Sequence, residues 1–368
     1  MPIYKTGRIK DGKAQYRVFV NKTDANGKVK RSTKCVYGLA EAKRLESEMS
    51  NDVLTTAENI TLQQLYDEYI KVKECEVRQS SLQKTKSILS NHILNTELQH
   101  MKLAKINKKV ITKWKTELWQ KDLKTSTKNN AIKELNTLLN YGVKIGYIHV
   151  NPLKGIGKFK DAYFEMDQEK MQYYTSEQFQ RFIAVARGHR ENFIGDACYI
   201  FFLLAFYTGM RKGELNALKW SDIDEDIIHV RRSICQKVKG YEETPPKNKA
   251  SYRSLKIPQK VLTELKQYRA ELIKAYGDID FRVCGGLKPI ADSTLEKRNK
   301  QYSEEAGLHH IRIHDFRHSH ASLLINSGIN IMAISRRLGH SDVKMTWNTY
   351  GHLYPQTEDS AINVLNTA

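Results

Sequence analysis

Residues 198–220 read CYIFFLLAFYTGMRKGELNALKW, and this stretch decides the fold of the C-terminal half of the chain. Residues 198–207 are almost entirely apolar, which predicts a helix buried at the centre of a domain. Gly209 can then supply an unusual backbone turn, and Arg211 begins a new helix with Glu214 one turn further on. An arginine beside a buried helix either pairs with a carboxylate or binds an anionic substrate.

The whole chain carries a large positive charge. It has 368 residues, a formal net charge of +19 and a pI near 9.5. Such a surplus favours a polyanionic partner, because each phosphate that Lys or Arg neutralises releases condensed counterions. The charge also suits ribosomal proteins and proteins of a membrane surface, so it indicates a class of partner and no mechanism.

Targeting and redox signals predict a cytoplasmic protein. No stretch approaches the roughly eighteen apolar residues of a membrane span, and the N-terminal MPIYKTGRIK lacks the apolar core of a signal peptide. The five cysteines show no C-x-x-C spacing. Their odd number and spacing indicate free thiols in a reducing compartment, and argue against a disulfide framework or a zinc site.

Residues 1–57 predict a small basic domain. Residues 1–34 hold ten Lys and Arg against two Asp. The segment AQYRVFV (14–20) alternates polar and apolar residues between the turn signals Asp11-Gly12 and Asn26-Gly27, which predicts an antiparallel sheet. A helix is expected over residues 39–50. A basic edge that only resists aggregation is the alternative to a nucleic-acid-binding module.

Two further domains and a linker are expected after this sheet. Residues 58–155 predict a helical domain that opens with a Thr61–Gln64 capping box. Helical patterns run over residues 61–75, 80–95, 108–121 and 125–146. Residues 156–172 predict a linker. Residues 173–368 predict a mixed α/β domain with a strand–turn–strand pattern in 227–257, so the fold class is multidomain and mainly α with small β elements.

A second polar segment is HDFRHSHASLLINSG, residues 314–328. His314 and Arg317 lie three positions apart, so a helix that starts here presents both on one face. His314 and His318 have the spacing of the zinc ligands in H-E-x-x-H. Asp315 replaces the glutamate of that motif, the cationic Arg317 lies between the two histidines, and no third ligand is evident, which disfavours a metal site.

The third segment is ISRRLGHSDVKMTWNTYGHLYP, residues 334–355. Here Gly339-His340 ends a helix, and Tyr350 follows ten residues after His340. A helix cap and a core tyrosine are the plain interpretation. The overlapping stretch ASLLINSGINIMAISRRLG also has the helix, turn and second helix of a helix-turn-helix DNA reader. That interpretation predicts a non-catalytic DNA-binding regulator.

Taken together, these segments resemble the tyrosine recombinase (phage integrase) family over essentially the whole chain. TGMRKGEL resembles the first arginine box of that family, and HDFRHSHAS, LGHS and NTYGH resemble the second. The family's polar residues then correspond to Arg211, His314, Arg317, His340 and Tyr350. The resemblance implies an N-terminal three-stranded sheet plus helix that binds arm-type DNA sites in the major groove, a helical core-binding domain and a mixed α/β catalytic domain.

The same resemblance implies the chemistry. Tyr350 attacks a DNA phosphodiester and leaves a 3′-phosphotyrosyl bond and a free 5′-hydroxyl. Arg211 and Arg317 clamp the non-bridging oxygens bidentately, which a lysine does less well. A phenol with a pKa of about 10 needs a cationic site or a neighbouring base. His314 is expected to act as general base, and His340 to donate a hydrogen bond to the phosphate.

The resemblance also implies a general acid for the leaving 5′-oxygen, a lysine in a β-hairpin turn. TPPKNKASYRSLKIP (244–258) resembles the matching segment, in which Lys247 is the expected acid and Lys249 its competitor; two solvated loop lysines are the plain alternative. Because the covalent ester retains the bond energy, strand joining would need no cofactor, ATP or metal.

The expected function is site-specific integration and excision of a mobile element. The resemblance implies duplex attachment sites and a homotetramer, with an excisionase and a host DNA-bending protein as accessory partners. The apolar residues of the tail QTEDSAINVLNTA (356–368) either pack on their own domain or dock on a neighbouring protomer. A resolvase or topoisomerase with the same nucleophile is the alternative enzyme, but a separate basic N-terminal module favours integration between unlike sites.

Overall fold

The computed structural model describes most of the chain in two compact units, Met1–Met166 and Asp167–Ala368. The described residues are 3–10, 12–23, 29–51, 60–160, 171–236, 240–246, 249–354 and 365–366. The first unit contains β1 (Ile3–Lys10), β2 (Lys13–Thr23), β3 (Val29–Tyr37), α1 (Leu39–Asn51), α2 (Leu62–Glu76), α3 (Gln79–Leu89), α4 (Lys108–Gln120) and α5 (Thr125–Lys144).

The second unit is mixed α/β. Its helices are α6 (Ser176–Gly188), α7 (Phe193–Thr208), α8 (Lys212–Ala217), α9 (Gln259–Tyr276), α10 (Asp292–Glu305), α11 (Asp315–Asn326), α12 (Ile331–Leu338) and α13 (Val343–Tyr350). Its strands are β4 (Ile223–Asp224), β5 (Ile227–Val230), β6 (Ser233–Cys235), β7 (Glu242–Thr244) and β8 (Arg253–Lys256). The expected mainly α fold with small β elements is confirmed.

The expected N-terminal sheet is also confirmed. Its strands are antiparallel in the order β1-β2-β3, and Arg17 of β2 lies opposite Tyr4 and Cys35. Helix α1 covers one face, where Val18 and Ala42 are fully buried. On the other face, Tyr4, Arg17 and Arg31 are exposed. The second turn signal, Asn26-Gly27, lies outside the described residues.

The helical part of the first unit follows the predicted pattern closely. The Thr61–Gln64 capping box is present, with the Thr61 N–H donating to Gln64 Oε1 at 2.9 Å and the Gln64 N–H donating to Thr61 Oγ1 at 3.3 Å. The second predicted helix, 80–95, is confirmed as α3 followed without a break by a π-helical turn at Ser90–Leu94. The Trp114 indole N–H donates to the His92 carbonyl of this turn at 3.0 Å.

The first residues of the segment predicted as a linker pack against the helices of this unit. The Phe159 ring stacks on Trp119 with a centroid separation of 5.3 Å. Asn129 exchanges two hydrogen bonds with the Phe159 backbone, and Lys115 donates to the Gly157 carbonyl at 2.6 Å. The first residues of the expected linker are therefore held against the helical unit, a packing that the Lys- and Gly-rich composition does not indicate.

Helix α7 forms the centre of the second unit, as the apolar stretch predicts. Twelve of its 16 residues are buried, and α6, α9 and α11 pack around it. The Phe179 and Phe206 rings stack face to face at 3.8 Å. At the end of α7, Gly209 has a left-handed backbone (φ 63°) and turns the chain into α8.

The strand region is more elaborate than the predicted strand–turn–strand. Strands β4, β5 and β8 form one sheet, and a separate β6–β7 hairpin is inserted between β5 and β8. Alternation of polar and apolar residues identified the strands but not their partners. A Cβ atom on Gly213 would lie 2.5 Å from the Ile234 carbonyl oxygen, so α8 packs directly against β6.

Among the described residues, no helix combines the length and apolar character that crossing a bilayer requires.

The turn at Gly209 yields a stability prediction. A Cβ atom there would lie 2.6 Å from His320 Cδ2, whereas Gly328, also left-handed (φ 75°), has no atom within 4 Å of the added carbon. We expect Gly209→Ala to lower the free energy of unfolding by about 3 kcal/mol, from backbone strain plus overpacking. Gly328→Ala pays strain alone, about 1 kcal/mol. Chemical denaturation measures both losses, and equal losses would contradict the packing argument.

Candidate active site

The polar residues singled out in the sequence come from four helix ends of the second unit. Arg211 precedes α8, His314 and Arg317 lie at the start of α11, His340 follows α12, and Tyr350 ends α13. They meet at the turn that ends α12. Arg317 Nη2 donates to the Leu338 carbonyl at 2.7 Å, and Arg211 Nη2 donates to the Gly339 carbonyl at 3.3 Å. Two guanidinium groups distant in sequence thus converge on consecutive carbonyls.

Arg211 is oriented by a buried carboxylate. Its backbone N–H donates to Glu214 Oε2 and its Nη1 donates to Glu214 Oε1, both at 2.9 Å. The Glu214 side chain is 3% exposed, whereas that of Arg211 is 35% exposed. One edge of the guanidinium is therefore fixed by the protein, and the group still faces solvent where an anion can reach it.

A second arginine, Arg253 of β8, holds the same carboxylate. Its Nη2 lies 2.8 Å from Glu214 Oε2 and its Nη1 lies 3.2 Å from Oε1, and its Nε donates to the Arg337 carbonyl at 2.8 Å. Burial alone would raise the pKa of the Glu214 carboxyl, but Arg253 and Arg211 lower it below the ordinary 4.5. Sequence reasoning missed Arg253, because strand alternation does not reveal a partner in another element.

Arg317 is the most enclosed cation of the site. It is 3% exposed, and its Nη1 donates to the Gly209 carbonyl at 2.7 Å. Burial, followed by the Arg211 charge, lowers its pKa to about 9, so it stays charged at neutral pH. A guanidinium has more N–H groups than the two engaged here, so Arg317 keeps donors for an anion.

The two expected histidines are both neutral at neutral pH. Burial and the Arg317 charge lower the pKa of His314, and burial with the same arginine lowers the pKa of His340 to about 4. His340 Nδ1 lies 2.7 Å from the Thr346 hydroxyl. When that hydroxyl donates, His340 Nε2 carries the ring proton and can donate to a phosphate oxygen. Among the described residues, no hydrogen bond holds the His314 ring, which meets His318 edge-on at 5.3 Å.

The Tyr350 hydroxyl contacts a histidine to which the sequence gave no catalytic role. It lies 2.8 Å from Nδ1 of His318, and the Tyr350 side chain is 1% exposed. Burial raises the pKa of the Tyr350 hydroxyl to about 12, although Arg317 opposes that rise. The sequence signal for His318 is its spacing from His314, which matches that of the zinc ligands in H-E-x-x-H. Within the described part of the chain, no group of three or more His, Cys, Asp or Glu is arranged to hold a metal ion.

The candidate general acids and the second tyrosine complete the set of expected residues. Lys247 lies outside the described residues, and its competitor Lys249 is exposed in a short 3₁₀ turn, Lys249–Ser251. The neighbouring tyrosine, Tyr354, donates its hydroxyl proton to the Ile329 carbonyl at 3.1 Å and stacks on Trp347. Tyr354 therefore packs beside the site without entering it.

Two family models and a named relative match this chain. A family model described as "Phage integrase family" matches residues 172–357, and one described as "Phage integrase, N-terminal SAM-like domain" matches residues 61–119. A protein named "Tyrosine recombinase XerC-like" from Caldanaerobacter subterraneus subsp. tengcongensis is 31% identical over 395 residues, which cover 98% of each chain.

Solved structures share the fold at lower sequence identity. The Tn1549 transposon integrase in complex with transposon right end DNA has a TM-score of 0.65 at 20% identity, covering 84% of this chain and 99% of that chain. A lambda integrase tetramer bound to a Holliday junction has a TM-score of 0.57 at 16% identity, covering 93% and 96% of the two chains.

The shared carboxylate gives a second prediction. Glu214→Gln leaves two arginines without a counter-charge, so we expect a loss of about 3 kcal/mol or more in the free energy of unfolding at pH 7. The pKa of Glu214 in the folded protein lies below 4.5. The stability that the ionised carboxylate contributes is therefore fully present above pH 4.5 and is lost as pH falls through the folded-state pKa. The difference in the free energy of unfolding between wild type and Glu214→Gln should therefore become smaller in acid.

The matched control is Glu304→Gln. Glu304 lies 3.7 Å from Lys300, and both side chains are more than half exposed. An exposed pair of this kind contributes roughly 0–1 kcal/mol. Denaturation curves between pH 3 and 7 measure both variants. If the stability difference between wild type and Glu214→Gln stays constant over this range, the Glu214 carboxyl is not ionised in the folded protein.

Proposed function

The chain belongs to the phage integrase family of tyrosine recombinases, enzymes that cut and rejoin DNA strands, and we propose that Tyr350 is its nucleophile. Its function is site-specific recombination that integrates and excises a mobile element. The observation that carries the assignment of Tyr350 is the convergence of Arg211 and Arg317 on the Leu338–Gly339 turn. The charges of both arginines oppose the rise in the pKa of the Tyr350 hydroxyl that burial causes. The hydroxyl therefore lies where two cations favour its ionised form and can also bind a phosphate.

The proposed reaction places the scissile phosphate between the two arginines. Charge develops on the non-bridging oxygens in the transition state, and pre-oriented guanidinium groups stabilise it without reorganising. His340 Nε2 adds a hydrogen bond to the same phosphate. Lys247, with Lys249 as the alternative, gives a proton to the leaving 5′-oxygen. His314 as general base stays a prediction, and His318 competes with it for that role.

Covalent trapping tests the nucleophile. A duplex nicked close to the cleavage site loses its short leaving strand, so the protein–DNA adduct accumulates. We expect wild type and Tyr354→Phe to form the adduct and Tyr350→Phe to form none, because only Tyr350 lies among the arginines. Denaturing electrophoresis counts the adduct. If the unmodified chain binds the duplex but forms no adduct, the non-catalytic helix-turn-helix regulator becomes the better interpretation.

The proposal extends to domains and assembly. We assign residues 1–57 to an arm-type DNA-binding domain, 58–155 to a core-binding domain, 156–172 to a linker and 173–368 to the catalytic domain. Strand exchange between two duplexes needs four cleavages, so the active form is proposed to be a homotetramer, the state in which the structurally similar lambda integrase binds a Holliday junction. An excisionase and a host DNA-bending protein are proposed accessory partners that set the direction of the reaction.

The solvent face of the N-terminal sheet supports the arm-binding assignment. On this face the Arg31 guanidinium lies 3.7 Å from the Phe19 ring centroid, and Phe19 stacks on Tyr4 at 5.5 Å. Arg17 and Thr33 line the same surface. A cation held flat on an aromatic ring is pre-oriented, and a narrow strand ribbon with such a face fits the major groove.

Substituting Arg31 tests that face. We expect Arg31→Ala to weaken binding to an arm-site duplex by about tenfold and to reduce the slope of log K against log salt by about 1, the effect of one lost phosphate contact. Lys43→Ala is the matched control, since it removes the same charge from exposed α1 on the covered side of the sheet. Fluorescence anisotropy across salt concentrations measures both. Equal effects of the two variants would indicate that only net charge matters.

A further inference from the structure

His318 lies between the hydroxyl of Tyr350 and the carboxylate of Asp315. Its Nδ1 is 2.8 Å from Tyr350 Oη, and its Nε2 is 3.8 Å from Asp315 Oδ1. The His318 side chain is 15% exposed and that of Asp315 is 1% exposed. Water has little access to the three groups, so a proton that leaves the phenol meets the imidazole first.

The protonation states fix the direction of the hydrogen bond. Burial raises the pKa of the Tyr350 hydroxyl to about 12 and lowers the pKa of His318 to about 4, so at neutral pH the phenol is protonated and the imidazole is neutral. The phenol then donates to Nδ1, and the ring proton lies on Nε2, toward Asp315. Phenol, imidazole and carboxylate are thus aligned in the order that a proton transfer requires.

We propose that His318 is a catalytic residue of this recombinase, whose Nδ1 atom accepts the Tyr350 hydroxyl proton during attack on the DNA phosphate. Asp315 stabilises the imidazolium that forms. The proposal rests on the assignment of Tyr350 as the nucleophile. It departs from the expectation drawn from the sequence, which gave this role to His314.

The step balances without a further reactant. The Tyr350 Oη–H bond breaks, its proton moves to His318 Nδ1, and the freed electron pair forms the bond from Oη to phosphorus. The bond from phosphorus to the 5′-oxygen breaks, and that oxygen takes a proton from the general acid. In strand joining, a 5′-hydroxyl attacks the phosphorus and gives its proton back to the general acid, and His318 returns its own proton to the departing Tyr350 oxygen.

DNA binding itself prepares His318 for this role. In the free protein, burial and the neighbouring His314, Arg312 and Arg317 lower the pKa of His318, and Asp315 opposes them. A phosphate held by Arg211 and Arg317 brings negative charge beside the ring, which makes the imidazole a stronger base. His318 therefore gains basicity when the substrate is in place.

The distinguishing experiment compares His318→Asn with His318→Ala. Asparagine places an amide near the position of Nδ1, so it can still accept a hydrogen bond from the phenol but cannot take up its proton. Alanine removes both functions. Adduct formation on the nicked duplex is timed at saturating DNA from pH 6 to 9, with DNA affinity and thermal unfolding measured alongside to show that each variant folds and binds. If alanine unfolds the site, the asparagine variant carries the test alone.

We expect both variants to form adduct about a hundredfold more slowly than wild type at pH 7, the usual scale of general-base catalysis. Without an internal base, the rate depends on the phenolate fraction and should rise about tenfold per pH unit. The wild-type rate should instead level off as pH rises, because the pKa of His318 is about 4 in the free protein and the imidazole becomes neutral at a much lower pH than the phenol ionises. The other charged groups that act on the pair are Asp315, Arg312, Arg317 and Arg211.

Three results would overturn the proposal. A wild-type rate for His318→Asn would mean that only the hydrogen bond matters, and a faster rate for His318→Ala would mean that the bond restrains the nucleophile. If the rate of adduct formation rises steeply with pH in His314→Ala and not in the His318 variants, His314 is the general base. Adduct formation by Tyr350→Phe is a separate outcome, since it overturns the choice of nucleophile itself.

Discussion

The organisation of the active site depends on one buried carboxylate shared by two arginines. Glu214 accepts hydrogen bonds from Arg211 and Arg253 while only 3% of its side chain is exposed. Arg253 in turn donates to the carbonyl of Arg337, so a strand, the start of α8 and the end of α12 are joined through one side chain. Desolvating three charges is costly, and such clusters contribute little net stability. What this cluster provides is position, because Arg211 is held in place before any DNA arrives.

Backbone carbonyls also hold the two arginines in position. The guanidinium groups of Arg211 and Arg317 point at carbonyls of residues 209, 338 and 339, and both Gly209 and Gly339 have left-handed backbones. A Cβ atom on Gly339 would lie 3.0 Å from Arg253 Nη1. Because these glycines have no side chain, their backbone can approach the arginines closely. Burial, together with this concentration of positive charge, lowers the pKa of His314 and His340. The same charge creates a site complementary to one phosphate.

The sequence predicted the parts of this structure that depend on local patterns. The apolar run that became α7, the Thr61–Gln64 capping box and the N-terminal sheet all follow from periodicity and helix-cap chemistry. The inserted β6–β7 hairpin, the Glu214–Arg253 pair and the contact between His318 and Tyr350 did not follow. Each joins residues far apart in the chain, and alternation or spacing says which face a residue occupies but not what lies opposite. The candidate residues were found because their order resembled a family, whereas their contacts needed coordinates.

Helix α11 and the nucleophile Tyr350 are held in the domain by different sets of contacts. Helix α11, which carries Arg317 and His318, is tied to the main core, because Ser319 accepts a hydrogen bond from the Tyr174 N–H at 2.9 Å and His320 donates to the Phe206 carbonyl at 2.8 Å. Tyr350 instead lies in a small separate apolar cluster with Ala321, Ile325, Ile334 and Leu338. An element held by few apolar contacts opens at a lower free energy than the core. Exposing a 1%-exposed hydroxyl to DNA therefore requires a local opening of this cluster, in which Tyr350 keeps its hydrogen bond to His318.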